Sequence, residues 1–483
     1  MSKTFLPYEP MQAFLLPPSP LEWLPEGHLA RFVLDTVSEL DLSAIFAYYE
    51  RERRGAPPHH PRMMVSLLVY GYCVGVASSR KIEKKTHEDV AFRVLAGNSH
   101  PDHVQISEFR RIHLSSLSGM FVQVLRLCQE LKMAKLGHVS LDGTKVKANA
   151  SKHKAMSHER MLKDEARLVA EVAALMKKAE ETDAAEDAEH GKGRRGDDLP
   201  EELRRREERL TRIRQAKAAL VAEAKAQAAA HVAAATLEAQ AEAAVAEMNN
   251  VRAAHRDDDS DDEPPSPPAV IAPEPMPEHQ VPTDKDGTPT GKAQRNFTDA
   301  DSRIMKTNAG FEQGYNAQAV VDEEHQIIVA IGVSNQSPDA EHFIPMLDRV
   351  AENLGKPPTR VSADTGYFSE ANVQRGAARG IDLYVATGRT KHSEAMTEAL
   401  PVTDDGTHKS QMKIKLATEA GKAIYARRKV IVEPVFGQIK NRGFRHFLLR
   451  GIEKVRGEWS LIALSHNLLK LFGFQGGIRA SAV

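Results

Sequence analysis

The chain has 483 residues, enough for two or three domains that each bury a core of their own. Its content of 41% apolar and 27% charged residues is typical of soluble proteins. The two cysteines, Cys73 and Cys128, are too few for a disulfide framework or a cysteine-rich zinc site. With no signal-like start and no apolar run of membrane length, these features predict a cytoplasmic protein.

The formal net charge of -1 conceals two segments of opposite charge. Residues 257–286 contain ten acidic residues and one lysine. Residues 409–456 contain thirteen lysines and arginines and three glutamates. A neutral chain with one basic segment can bind a polyanion locally, although a solvated helical face is the commoner origin of such a run.

The region from residue 20 to about 135 has apolar residues at helical spacing and is predicted to be helical. A helix over 79–97 is followed by a turn and by a second helix that Ser107 is expected to cap. Arg110 and Arg111 would lie in the first turns of that second helix. Such a pair of helices either reads DNA or is ordinary bundle packing.

The pattern changes at 137–151, where alternating apolar residues predict a strand. The residues at 153–252 are rich in Ala, Glu, Lys and Arg, with a short heptad of apolar residues and a central polar loop, which predicts a helical hairpin or coiled-coil arm. Residues 253–295 are acidic and proline-rich, which predicts a disordered linker.

Strands and amphipathic helices alternate after residue 296 and predict an α/β layer. The arm and linker then interrupt one domain after its first strand. The predicted division is a helical N-terminal domain at 1–136, the first strand of the α/β domain at 137–152, a helical insertion at 153–252, a disordered linker at 253–295, and the rest of the α/β domain at 296–475.

Three acidic residues occupy positions where α/β proteins often bind ligands. Asp142 lies in the first strand before a glycine, Asp364 ends a later strand before Thr-Gly, and Glu433 begins a helix next to Pro434. Together they would form an all-oxygen cluster suited to Mg²⁺ or Mn²⁺. Each also has a simpler interpretation: an aspartate before glycine favours a turn, and a glutamate favours a helix N-terminus.

Four blocks in order, "LDGTKVKANAS", "FEQGYNAQAVVD", "SADTGYFSE" and "EPVFGQIKNRGFRHFLLRG", resemble the catalytic blocks of bacterial insertion-sequence DDE transposases. The resemblance implies an all-α N-terminal domain and an α/β core with an RNase H-like mixed sheet flanked by helices, interrupted by a long insertion. It implies that Asp142, Asp364 and Glu433 bind two Mg²⁺ or Mn²⁺ ions. The implied activity is cleavage of double-stranded DNA at transposon ends and strand transfer into target DNA, by a homo-oligomer, most simply a dimer, on the bacterial nucleoid.

The family also has a signature of Tyr, Arg, Glu and Lys around its glutamate. Here Tyr425 precedes Arg428 by the expected two intervening residues, but four residues rather than three separate Arg428 from Glu433. Both Arg428 and Lys429 are therefore candidates for the basic role, and Lys440 fits the last position. The residues expected to contact DNA are Tyr425, Arg428, Lys429, Lys440, Arg442, Arg445, Arg110 and Arg111.

Three other hypotheses compete with a transposase. One is a metal-dependent nuclease of the same fold, without strand transfer. Another is a DNA-binding derivative that no longer transposes, against which the presence of all three acids argues. A coiled-coil scaffold built on the arm is the third, and the α/β blocks on both sides of the arm argue against it.

Overall fold

The computed structural model describes residues 19–51, 57–190, 201–254, 273–307, 310–388 and 405–481. Side-chain burial is described for most of these residues, with gaps near the tips of the two long helices of the arm. No helix in these ranges combines the length and apolar character needed to cross a membrane.

The N-terminal region is helical, as predicted. Its helices are α1 (Leu29–Glu39), α2 (Ser43–Glu50), α3 (Pro61–Cys73), α4 (Ser79–Glu88), α5 (Val90–Leu95), α6 (His103–Ile112) and α7 (Leu114–Glu130). The helix predicted over 79–97 is broken at Asp89, whose carboxylate caps α5. The cap predicted at Ser107 is wrong, because Asp102 and Gln105 form a reciprocal capping box that starts α6 five residues earlier.

The strands form one large sheet and one small one. They are β1 (His138–Lys147), β2 (Ala155–Ser157), β3 (Gln294–Asn296), β4 (Arg303–Thr307), β5 (Gly310–Asp322), β6 (Ile328–Ser334), β7 (Arg360–Ala363) and β8 (Asp382–Val385). The large sheet has the order β4-β5-β1-β7-β8, with β6 also paired to β5. Strand β1 is antiparallel to β5 and parallel to β7, so the sheet is mixed.

The insertion leaves and re-enters the sheet region through β2 and β3, which pair antiparallel. Between them run α8 (His158–His190) and α9 (Glu201–Ala254). These helices are antiparallel, since Glu165 pairs with Arg214 at 3.1 Å and Glu171 with Arg206 at 3.1 Å. The apolar residues of the predicted heptad are all buried: Leu203, Leu210, Ile213 and Leu220.

The predicted linker differs from the structure in its second half. Residues 255–272 lie outside the described residues, but residues 273–295 have defined positions. Val281 and Ala293 pack against Leu220 and Ala224 of α9, and Met276 is buried in the main core. The expectation of disorder is therefore corrected for 273–295, because its few apolar residues are spaced to cover the base of the arm.

The remaining helices surround the large sheet. They are α10 (Phe343–Leu354), α11 (Glu370–Ala378), α12 (His408–Ala417), α13 (Glu419–Ile431), α14 (Glu433–Asn441) and α15 (Ile452–Ser481). Residues 419–481 contain three of these helices, α13, α14 and α15. Pro434 lacks a backbone N–H and is tolerated in a first turn, which fits a new helix beginning at Glu433.

Helix α15 joins the sheet to the N-terminal helices. Trp459 Nε1 donates to the carbonyl of Gln318 in β5 at 3.1 Å. The amide of Asn467 exchanges two hydrogen bonds of 2.8 Å with the backbone of Ile328 in β6. Since α15 also packs on α3 and α7, one hydrophobic core extends from the N-terminal helices through the sheet. The predicted fold class is confirmed: an α/β mixed sheet flanked by helices, with a helical N-terminal region.

Candidate active site

Asp142 on β1 and Asp364, the residue after the end of β7, lie at the same level of the sheet. Leu141 pairs with Ala363, the last residue of the parallel strand β7, and each of these residues is followed by one of the two aspartates. Neighbouring strands are about 4.8 Å apart, so the two acids lie close together at the inner strands of the sheet. Gly143 directly follows Asp142, and Gly366 lies two residues after Asp364. The backbone N–H of each glycine donates a hydrogen bond of 2.8 Å to the carboxylate of its aspartate.

Glu433 is linked to Asp142 by Arg428, which contacts both carboxylates. The guanidinium of Arg428 donates from Nη1 to Asp142 Oδ2 at 3.3 Å and from Nη2 to Glu433 Oε1 at 3.2 Å. Arg428 lies in the last turn of α13 and Glu433 is the first residue of α14. The break between these two helices therefore lets one arginine contact acids from both the sheet and the next helix.

The charges at this site perturb one another. Burial raises the pKa of Asp142 to about 6, and Asp364 and Glu433 add to the rise, against the opposing effects of the Gly143 N–H and Arg428. Burial by itself lowers the pKa of Arg428, but Asp142, Tyr425, Glu433 and Asp364 raise it overall. The site thus holds more negative than positive charge in a partly desolvated position.

The donor set fits a hard divalent cation in its chemistry. All three acids offer carboxylate oxygens, the ligands that Mg²⁺ and Mn²⁺ prefer, and their mutual repulsion favours a bound cation. In arrangement the fit is incomplete, because no group of three acidic, histidine or cysteine side chains in the described ranges is disposed to hold a metal ion. Arg428 lies between two of the three acids, and within the part of the chain that the structure describes it is the residue that forms ion pairs with both of them.

A polar network that the sequence did not predict lies beside the two aspartates. Asp339 Oδ1 accepts hydrogen bonds from Asn316 at 2.7 Å, Lys145 at 2.9 Å and Gln318 at 3.0 Å. The hydroxyl of Tyr367, which is buried, donates to Gln318 Oε1. This network ties the segment after β7, which carries the second aspartate, to β1 and β5.

The sequence contained a partial signal for this network. Gln318 and Tyr367 belong to the blocks "FEQGYNAQAVVD" and "SADTGYFSE". A glutamine in an otherwise apolar central strand needs polar partners when it is buried. Nothing in the sequence, however, indicated that Asp339 would supply one of them, since it lies 21 residues away in a loop.

The predicted DNA-contacting residues divide into exposed and buried groups. Lys429 and Arg445 are exposed, and Lys440 is half-buried in the last turn of α14. Tyr425 is half-buried, and burial raises the pKa of its hydroxyl, with Arg428 opposing and the two aspartates adding to the rise. Of the two candidates for the basic signature role, Arg428 faces the acids and Lys429 faces solvent.

Two arginines expected to contact DNA form hydrogen bonds within the protein. Arg110 is 5% exposed and donates to the carbonyl of Ala77 at 2.9 Å. Arg442 donates to Ser465 Oγ at 3.0 Å, and its Nη2 is buried. The expectation for Arg110 is corrected, because a guanidinium packed against the helical core does not face a DNA backbone. Arg442 is half-buried, and its contact with DNA stays a prediction. Arg111 is exposed and paired with Glu108.

The positions of Arg110 and Arg111 also differ from those predicted for DNA recognition by a pair of helices. Arg110 and Arg111 lie in the last turn of α6 and not in the first turns of a following helix. Recognition helices contact base edges mainly through their N-terminal residues. The predicted use of Arg110 and Arg111 in that role is therefore not supported by their positions.

Comparison with protein families agrees with the architecture. The family model "Transposase DDE domain" matches residues 279–468, which include Asp364 and Glu433 but not β1 with Asp142. The family model "Transposase domain (DUF772)" matches residues 19–111 in the N-terminal helices. No curated protein and no solved structure gives a significant match. The two family matches together span more than half of the chain, which belongs to the insertion-sequence DDE transposases.

Proposed function

We propose that this transposase cleaves DNA at transposon ends and transfers the released strand into target DNA, with Asp142, Asp364 and Glu433 as its catalytic acids. The observation that carries the proposal is the paired register of β1 and β7, which puts two aspartates side by side, with Arg428 linking the first to Glu433. These contacts support a shared site to which β1, the residue after β7 and the start of α14 would each contribute one carboxylate.

These acids would hold Mg²⁺ or Mn²⁺, two ions in the proposed mechanism, because their oxygens suit such ions and their repulsion is otherwise relieved by one arginine. When bound, divalent ions supply activation of a water or 3′-OH and stabilisation of the leaving oxygen. The protein's own residues position the carboxylates. The N–H groups of Gly143 and Gly366 orient the two aspartates, and the Asp339 network holds their two supporting segments together.

The exposed basic residues would bind the DNA backbone beside the acids. Lys429 and Arg445 are exposed, and Lys440 lies two helical turns after Glu433 in the continuous helix α14, on nearly the same face. Backbone binding of this kind is electrostatic and weakens as salt rises. Tyr425 and Arg428, which lie among the acids, would meet the DNA at the cleavage point.

The division of the chain follows from this function. The N-terminal helices would recognise the transposon ends, assemble the protomers, or both, and they share a core with the sheet through α15. The helical insertion leaves the catalytic domain after its first strand and returns through the β2–β3 pair. Synapsis of two DNA ends requires at least two copies of the site, so we propose a homo-oligomer, most simply a dimer.

The proposal is tested with purified protein, Mg²⁺ and a duplex that carries the ends of its own element. Asp142→Ala, Asp364→Ala and Glu433→Ala are each expected to abolish cleavage while the protein still binds DNA. Glu419→Ala is the control, because Glu419 is a highly exposed glutamate on α13 with a side-chain exposure of 93%. Full cleavage by any one of the three acid variants would refute the assignment of that acid.

The product distinguishes the related hypotheses. A strand-joined product in a reaction with target DNA supports a transposase that completes both steps. Cleavage without any joined product indicates a nuclease of the same fold. DNA binding without cleavage by the unchanged chain, at any Mg²⁺ or Mn²⁺ concentration, indicates a derivative that binds DNA but no longer transposes.

A further inference from the structure

Arg428 takes part in two ion pairs inside the acidic site, although the family signature suggests a DNA contact for a basic residue here. Its Nη1 lies 3.3 Å from Asp142 Oδ2 and its Nη2 lies 3.2 Å from Glu433 Oε1. The side chain is 12% exposed. Its guanidinium therefore fills the space between the two carboxylates and does not extend into solvent.

The two ion pairs of Arg428 have poorer geometry than expected for an arginine whose only role is to stabilise the fold. Both distances exceed the 2.7–2.9 Å of a strong charge-assisted hydrogen bond, and neither carboxylate is gripped by two parallel bonds. Arg428 Nε is buried and has no hydrogen-bond partner in the described part of the chain. The guanidinium is held by the surrounding carboxylates and by the neighbouring Tyr425 side chain, without a bidentate contact to either carboxylate.

A divalent cation needs the same oxygens that Arg428 contacts. A metal ion binds carboxylate oxygens at about 2.0–2.1 Å for Mg²⁺, far closer than the arginine nitrogens lie, so the acids have to draw together. A guanidinium left among them would then repel the ion, because like charges a few ångströms apart in a partly desolvated site interact strongly. The absence of a three-ligand group among the described residues agrees with this spread arrangement.

We infer that Arg428 and a divalent cation are mutually exclusive between Asp142 and Glu433, so that Arg428 is a resident counter-ion that must withdraw before these two carboxylates share a metal. The inference rests on the proposed metal-binding function of the three acids. It predicts that removal of Arg428 strengthens metal binding by the free protein, whereas a residue that only supports the acids would weaken binding when removed.

The test measures Mn²⁺ binding to the full chain without DNA, from the electron paramagnetic resonance signal of free Mn²⁺. Arg428→Ala is expected to bind Mn²⁺ about tenfold or more tightly than the unchanged protein. The matched control is Arg427→Ala, which removes the same charge one residue earlier. Arg427 pairs with Glu323 and is 55% exposed, so its removal is expected to change the affinity by about threefold or less.

Equal or weaker Mn²⁺ binding by Arg428→Ala than by Arg427→Ala would overturn the inference. The acid variants separate this failure from a failure of the proposed function. If Asp142→Ala and Glu433→Ala bind Mn²⁺ as well as the unchanged protein, the metal site itself is wrong. If they lose Mn²⁺ while Arg428→Ala gains none, the metal site stands and the exclusion by Arg428 is wrong.

Thermal unfolding provides a second measurement. Without metal, Arg428→Ala should unfold at a lower temperature than the unchanged protein, because the acids lose their counter-ion. Saturating Mn²⁺ should then raise its unfolding temperature by more than that of the unchanged protein, since tighter binding to the folded state stabilises it more. If the alanine variant does not fold, Arg428→Gln keeps the shape and removes the charge, and the same larger Mn²⁺ shift is expected; a smaller shift contradicts the inference.

Discussion

Gln318 lies directly across the sheet from Gly143, and its amide occupies the space that a side chain at position 143 would need. A Cβ at Gly143 would lie 3.0 Å from Gln318 Cδ, closer than side-chain carbons normally approach. The Gln318 amide has little freedom to move, because Asn316, Asp339 and Tyr367 all hydrogen-bond to it. Gly143, which directly follows Asp142, is thus required for packing.

Gly143→Ala should therefore destabilise the protein by about 1–3 kcal/mol, as overpacking of a filled interior does. Urea denaturation followed by circular dichroism measures the change. Gly119→Ala is the control, because Gly119 is an exposed residue inside α7 with no atom near its would-be Cβ. There the same substitution should be neutral or stabilising by about 0.5–1 kcal/mol. Equal effects at both positions would contradict the packing argument.

Asn467→Leu should weaken the attachment of α15 to the sheet. The Asn467 amide satisfies both the N–H and the carbonyl of Ile328, each at 2.8 Å and buried. A leucine leaves both backbone groups without these bonds, at a cost of about 2–4 kcal/mol in the free energy of unfolding. The exposed residue Asn441 provides the comparison, since Asn441→Leu should change stability by about 0.5 kcal/mol or less.

Stability should fall in acid partly through His466. Burial lowers the pKa of His466 to about 3, although its hydrogen bond to the Gln326 carbonyl works the other way. An unfolded histidine titrates near 6.5, so below that pH the unfolded chain binds a proton that the folded chain excludes. This contribution is fully present above pH 6.5 and is lost as the pH falls towards 3, by up to about 1.4 kcal/mol per pH unit.

His466→Gln removes the titrating group while keeping a side chain that can donate to the Gln326 carbonyl. The variant is expected to be less stable at pH 7 because of the altered packing, but its free energy of unfolding should depend less steeply on pH between 6.5 and 4. Urea denaturation at several pH values gives both slopes. Parallel curves for the two proteins would show that His466 does not titrate on unfolding.

Exposed and buried arginines should differ in their effect on DNA binding. Arg445 is exposed, so Arg445→Ala should lower the slope of log affinity against log salt concentration by about one if it contacts a phosphate. Arg110 is buried, and its guanidinium donates a hydrogen bond to the Ala77 carbonyl. Arg110→Ala should leave the salt slope unchanged and lower the free energy of unfolding by about 2 kcal/mol.

Fluorescence anisotropy with a labelled duplex at four or five salt concentrations gives the slopes, and urea denaturation gives the stabilities. A reduced salt slope for Arg110→Ala, in a protein that remains folded, would show that its side chain reaches DNA after all. An unchanged slope for Arg445→Ala would remove Arg445 from the DNA-contacting surface.

The local order of the elements could be read from the sequence because strand and helix periods are local properties. Alternation predicted β1 within a few residues, and the heptad predicted the buried residues of α9. Gly355 follows the end of α10 with a positive φ of 76°, a helix stop signal that is also local. Helix starts were less predictable, as at α6, because Asp102 and Ser107 are both good caps and only the reciprocal bond with Gln105 distinguishes them.

The sequence by itself determined the fold class and the helical insertion, and it predicted the three acids Asp142, Asp364 and Glu433 as a site. Tertiary structure alone decided that Arg428, not Lys429, faces those acids, that Arg110 is internal, and that Asp339 supports the site. The physical reason is the separation along the chain of the residues that interact. A repeat of 3.6 or 2 residues tells which side chains share a face, but what covers that face depends on contacts between residues far apart in the chain, such as the 286 positions that separate Arg428 from Asp142.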